Sequence, residues 1–186
     1  MTRSPSSVET AIEHFLTQFV EQFKEKHQHL PVVEADEQWV SPCEQGKYSE
    51  EANYWQPKRA DGLSFDNVEQ ALELTLHDSI KQYFTCFYAE SVDAECEEGR
   101  LSLLFPWNQD DFARLQENII GHILMKRKLK QSETVFFAVT DQEDFIVSIE
   151  NETGAVWVEQ VGKAPHKKLS DSLANFIQQL TPVIYD

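Results

Sequence analysis

Val8, Ala11, Ile12, Phe15, Leu16, Phe19, Val20 and Phe23 follow one another at three- and four-residue steps, the spacing that lays one apolar stripe along an α-helix. Ser6 with Glu9 forms a capping box at its start, and Pro31 ends any continuation. From residue 31 to 53 the pattern vanishes. The chain there is polar, acidic and punctuated by Pro and Gly, which predicts a long surface loop ending in a short strand at Tyr54-Trp55-Gln56, stopped by Pro57. Asp66 or Asn67 can cap a second helix running through Val68, Leu72, Thr75 and Leu76 toward Tyr83.

Residues 91–96 and 100–105 then read as two strands joined at Glu97-Glu98-Gly99, a connection that suits a hairpin. Asn108 caps a third helix. Asp110 and Asp111 lie in its first turn and Lys126, Arg127 and Lys128 near its end, both favourable to the helix dipole. Phe112, Leu115, Ile119, His122 and Ile123 line its inner face. Residues 134–140, 145–150 and 155–159 read as a three-stranded meander, turned at Asp-Gln-Glu-Asp and Asn-Glu-Thr-Gly. Leu169, Leu173, Phe176, Ile177 and Leu180 predict a closing helix cut off by Pro182. Helices at both ends around two groups of strands give an α+β class: a mainly antiparallel sheet of about five to six strands, packed with about four helices, in one domain spanning residues 1–186.

Composition supports a packed interior. The 186 residues are 41% hydrophobic and include twelve Phe, enough for a core despite the charge. No apolar run approaches the ~20 residues of a membrane span; the longest, residues 119–125, is interrupted by Gly121 and His122. The N-terminal residues carry no apolar signal core, so a cytosolic protein is expected. Three cysteines, Cys43, Cys86 and Cys96, without CxxC spacing fit reduced thiols.

Charge changes the picture most. Sixteen of the thirty-two acids fall between Glu34 and Glu98, against Lys47, Lys58, Arg59 and Lys81, so this stretch carries net −12 of the chain's −16. Such a field repels nucleic-acid phosphates and anionic headgroups and speeds the approach of Lys/Arg-rich surfaces. Solubility alone also explains acidity.

Reaction chemistry finds little support. His27 and His29 with Cys43 suggest a metal site, yet residues two apart on a helix point to different sides. Asp141, Glu143 and Asp144 resemble a calcium-loop fragment but lack the Gly and distal Glu of an EF-hand, which leaves a polar turn. Glu44 beside Cys43 would raise that thiol's pKa. A hydrolase using Asp110, Asp111 and His122 would need side chains about 16 Å apart along one helix, and His122 reads first as a hydrogen-bonded core residue. Lys126, Arg127, Lys128 and Lys130 form the only cationic cluster and read as a favourable helix end. Neither a phosphate-cradling glycine loop nor a GxSxG or HExxH pattern occurs. No catalytic residue, metal or cofactor is expected.

Two stretches resemble a known family. Ser41-Pro42-Cys43 with Tyr54-Trp55-Gln56-Pro57 is the shorter; the longer is WNQDDFARLQENIIGHILMKRKLK, from Trp107 to Lys130, followed by TVFFAVT. Together they are similar to the Syd family of SecY-interacting proteins, in the SUKH superfamily. The resemblance implies an α+β SUKH-like fold and a non-enzymatic protein held loosely at the cytoplasmic face of the inner membrane through SecY. There it would monitor or restrain the translocation channel through an acidic concave surface docked on basic loops, with no nucleic acid bound and no direct lipid insertion. Cytoplasmic loops of membrane proteins are enriched in Lys and Arg, which makes an acidic domain their complement. The expected face comprises Trp55 and Pro57, the helix acids Glu69 and Glu73 with Asp61 and Asp66, and a rim of Glu44, Glu50 and Glu51. The alternative is a SUKH-type immunity protein binding a basic toxin nuclease.

Overall fold

The computed structural model describes residues 7–186. Helix α1 runs Val8–His27, with Ser7 as its N-cap: the Ser7 side chain accepts the Thr10 N–H at 3.2 Å. The expected box on Ser6 lies outside the described residues. The expected loop after Pro31 contains two strands, β1 (Val32–Glu34) and β2 (Glu44–Lys47), which flank β3 (Ala52–Trp55) in a three-stranded antiparallel sheet. Strands this short leave no period to read. Trp55, the inner residue of β3, stacks on Phe19 of α1 at 5.9 Å and meets Trp107 edge-on at 5.9 Å.

β4 (Lys58–Arg59) comes next and later pairs with β5 (Phe87–Tyr88). The expected single second helix is two, α2 (Asp66–Leu72) and α3 (Asp78–Thr85). Glu73 breaks it by taking the left-handed conformation (φ 49°, ψ 48°), and the Leu76 N–H beyond the break bonds to the Glu69 carboxylate at 2.7 Å. Neither Asp66 nor Asn67 is the N-cap; the Asp66 N–H itself bonds the Ser64 hydroxyl at 3.1 Å. Asn151 fixes the break from the far side, accepting the His77 N–H at 2.8 Å and donating to Thr75 O at 3.0 Å. Gly154 closes over His77 so tightly that a Cβ there would sit 2.5 Å from the imidazole.

The hairpin is present as β6 (Val92–Cys96) and β7 (Gly99–Leu103). Cys96 pairs with Gly99, so Glu97-Glu98 alone form the turn and Gly99 takes φ 136°. Helix α4 (Gln109–Lys128) is capped by Asn108 as expected, its side chain accepting the Asp111 N–H at 2.8 Å. The meander is β8 (Thr134–Thr140), β9 (Phe145–Glu150) and β10 (Val156–Gln160). The closing helix is shorter than its apolar spacing implied. Leu169 belongs to β11 (Lys167–Ser170), α5 covers only Leu173–Gln178, and Thr181–Pro182 form β12 on the edge of β6.

The α+β class therefore holds, with five helices among the described residues and a larger sheet than expected: seven strands in the order β11-β10-β9-β8-β7-β6-β12. The added strands lie at the edges, where pattern is weakest. Both faces are covered. Phe136 of β8 meets His122 of α4, whereas neighbouring Phe137 meets Tyr83 of α3 and Phe176 of α5.

Candidate functional site

An open groove lies beside the start of β6, between α1 and residues 183–186. Its larger hollow, about 400 Å³, is walled by Phe23 and His27 of α1, floored by Trp55, and bordered by Glu90 and Asp93. Residues 183–186 form the remaining side. A second hollow of about 370 Å³ shares Asp93, Ser102 and Tyr185 with the first and adds Arg100 and Asp141. The two thus adjoin at these shared residues, and carboxylates line both.

Glu90 is the unusual member. It is half-buried, and burial raises its carboxyl pKa above the ordinary 4.5, with the like charge of Asp111 adding to the rise. Its carboxylate accepts only the neighbouring Ser91 N–H, at 3.3 Å, and no cation among the described residues pairs with it. Asp93 accepts the Tyr185 hydroxyl at 2.7 Å. Asp186 pairs with Lys26 at 2.6 Å, and His27 Nε2 lies 2.8 Å from Tyr185 O. These contacts hold residues 183–186 along the groove. Val183 N–H donating to Asp93 O at 2.9 Å extends the short β12 pairing.

The nine residues expected to form a face are dispersed. Trp55 is buried at the groove floor, while Pro57 lines a separate hollow of about 330 Å³ with Glu13 and Glu21. None of the seven acids lines either hollow. Glu44 is engaged within the chain, accepting the Ser41 N–H at 2.8 Å and the Asn53 amide at 2.9 Å. Glu69 holds the α2–α3 break and lies 3.4 Å from Lys81 Nζ. Glu50 and Glu51 stand exposed at the β2–β3 turn, and Asp61, Asp66 and Glu73 are exposed along the α2 region. Sequence reasoning missed Glu90 and the role of Asp93. The alternation was available for Asp93: Val92 and Ala94 are buried, so Asp93 and Glu95 must share the other face. Glu90 carried no such mark, because most of the residues around it are distant from it in sequence.

Other candidate chemistry resolves into structure. Cys43 is buried and its thiol pushed up to about 11, chiefly by that burial; Glu90, rather than Glu44, is the carboxylate that adds to it. Asp111 accepts the Trp107 N–H at 2.8 Å, at the far end of α4 from His122. His122 Nε2 contacts Thr134 Oγ1 at 2.9 Å, and burial holds its pKa below 6.5, so its 3.7 Å approach to Glu159 is a contact of a neutral ring. Lys126 is no exposed helix-end charge. It and Glu159 are both fully buried, 3.1 Å apart, with Gln131 and Ser148 completing the cluster. His27 and His29 lie among aromatic rings, and among the described residues no three side chains gather that could hold a metal ion. No described helix is long and apolar enough to cross a membrane.

Compared with known proteins, residues 9–182 match the family described as Syd protein (SUKH-2). Three relatives, each named Protein Syd, align over nearly all of both chains. That of Colwellia psychrerythraea is 54% identical, covering 97% of this chain and 96% of its own length. That of Alteromonas mediterranea is 44% identical over 95% and 97%, and that of Pseudoalteromonas atlantica 40% identical over 97% and 99%. The chain belongs to the Syd family.

Proposed function

We propose that this Syd-family chain is a non-enzymatic regulator that docks on SecY, at the cytoplasmic side of the Sec translocation channel, by taking a basic loop into the groove beside β6. The observation that carries the reading is Glu90: a carboxylate half-withdrawn from water, next to another acid and with no cation paired to it among the described residues. Such a group favours a positive charge brought from outside. Loops on the cytoplasmic side of membrane proteins carry that charge in excess.

Exposed pairs are weak, ~0–1 kcal/mol each, so affinity must come from several acids acting together in a partly dewatered groove. Glu90, Asp93 and Asp141 supply the groove, and Glu50 and Glu51 a rim. The net charge of −16 repels anionic lipid, so attachment to the membrane goes through the channel protein, leaving the chain otherwise cytoplasmic. Binding acts by occupancy of the loop, with no covalent step. Pull-down from detergent-solubilised membranes tests this: SecY should be retained at low salt and released at high salt. Retention of a soluble basic nuclease instead would favour an immunity role.

A further inference from the structure

Five aromatic rings from two separated segments gather beside the groove. Phe23 and His27 come from the last turns of α1, His29 follows that helix, and Tyr48 and Tyr54 come from the β2–β3 hairpin. The rings form a continuous run: Phe23–His27 at 4.4 Å, His29–Tyr48 at 5.3 Å, His29–Tyr54 at 5.9 Å and Tyr48–Tyr54 at 5.4 Å. Phe23 and His27 are also walls of the groove. The outer member, Tyr48, is 51% exposed.

Charge surrounds this shelf asymmetrically. Cross-strand pairing of Val32 with Tyr54 and Glu34 with Ala52 puts the Glu34 carboxylate on the same sheet face as Tyr54. Glu50 and Glu51 follow Tyr48 around the hairpin turn. Lys47 pairs with Asn53, which sends its side chain to the opposite face from Tyr54. Elsewhere the chain covers aromatic faces with its own arginines: Arg59 lies over Phe87 at 4.9 Å and Arg114 over Trp39 at 5.4 Å. Among the described residues no cation lies over the rings of the shelf.

We infer that Tyr48 and Tyr54, backed by His29, form a subsite that receives an arginine side chain of the docked loop by stacking and cation–π attraction, beside the acids of the groove. This rests on the proposed docking of a basic loop and adds a preference the charge alone does not give. A planar guanidinium stacks on a ring face, whereas an ammonium acts mainly as a point charge. Carboxylates would accept either; the shelf distinguishes them.

The test uses the whole chain and two Gly/Ser peptides, one with alternating arginines and its lysine-for-arginine twin. The arginine peptide should bind about three- to tenfold more tightly. Tyr48→Leu/Tyr54→Leu should abolish that preference, and Tyr48→Phe/Tyr54→Phe should keep it. Binding should also move the arginine Cδ protons upfield through the ring current, a readout that needs no variant. Equal binding of the two peptides by the unaltered chain, a preference that survives the Leu variant, or absence of the upfield shift would overturn the inference. Glu90→Gln/Asp93→Asn should weaken both peptides alike. If that variant changes nothing while the arginine preference persists, the groove reading falls and the shelf stands.

Discussion

Glu159 and Glu90 are both carboxylates drawn out of water, near opposite edges of one seven-stranded sheet, and their surroundings are opposite. Glu159, on β10, is fully buried with Lys126 at 3.1 Å and the Ser148 hydroxyl bonded to it, so its charge is matched inside the chain. Glu90, just before β6, is half-buried beside Asp111 and, among the described residues, bonds only a neighbouring N–H. From β6 to β10 is four strand spacings, about 19 Å along the sheet. The contrast separates two uses of the same chemical group. A matched buried charge orders the fold around itself; an unmatched one at a groove is open to a partner's charge.

Breaking the matched side should have the largest effect. Glu159→Ala strands Lys126 in the core and should cost about 3–5 kcal/mol, lowering the melting temperature by roughly 6–20 °C. Lys126→Met/Glu159→Leu should restore most of that loss, since the apolar pair removes both charges. Thermal unfolding of the three proteins measures this. An intermediate case is Glu69, whose carboxylate accepts the Leu76 N–H. Glu69→Lys should cost about 1–3 kcal/mol through that lost bond, while Glu73→Lys, at an exposed position, should leave melting nearly unchanged. Equal effects would remove Glu69 from its bracing role.

The unmatched side should respond in the other sense. Because burial raises the Glu90 pKa, its contribution to stability is present below the ordinary carboxylate range near 4.5 and is lost as pH rises through the folded value. Glu90→Gln should then match the unaltered chain at acid pH. At neutral pH it should equal or slightly exceed it, within about 1 kcal/mol. Denaturant titration at several pH values reads the difference; a Gln variant that loses stability toward neutral pH would show a hidden cation partner. The smallest effect belongs to Arg59→Ala. Its contacts with Glu9 and Glu13 are half-exposed and should contribute under about 1 kcal/mol.

The same contrast explains what the sequence made legible. Helices α1 and α4 could be read because long apolar stripes, and for α4 the Asn108 cap, report local order. The β6–β7 hairpin and the meander could be read because alternation and turn residues do the same. The α2–α3 break could not, since Glu73 in a left-handed conformation has no Gly or Pro to announce it. Lys126 looked like a helix-end charge because its partner Glu159 is 33 residues away. For the site, the excess of acid was plain, but which acids mattered was not. Glu44 and Glu69 looked equivalent to Glu90 in composition, and only packing distinguishes carboxylates that brace the backbone several residues away from one left facing a groove.

On the proposed reading, groove carboxylates without an internal cation among the described residues attract a basic loop of the channel. Association of Glu90→Gln/Asp93→Asn with purified SecY channel, compared with the unaltered chain across a salt series, tests it most directly. Weakened, slower association at low salt with unchanged melting is expected, with convergence of the two proteins at 1 M salt, where the Debye length is about 3 Å. Undiminished, salt-insensitive binding by the double variant would contradict it.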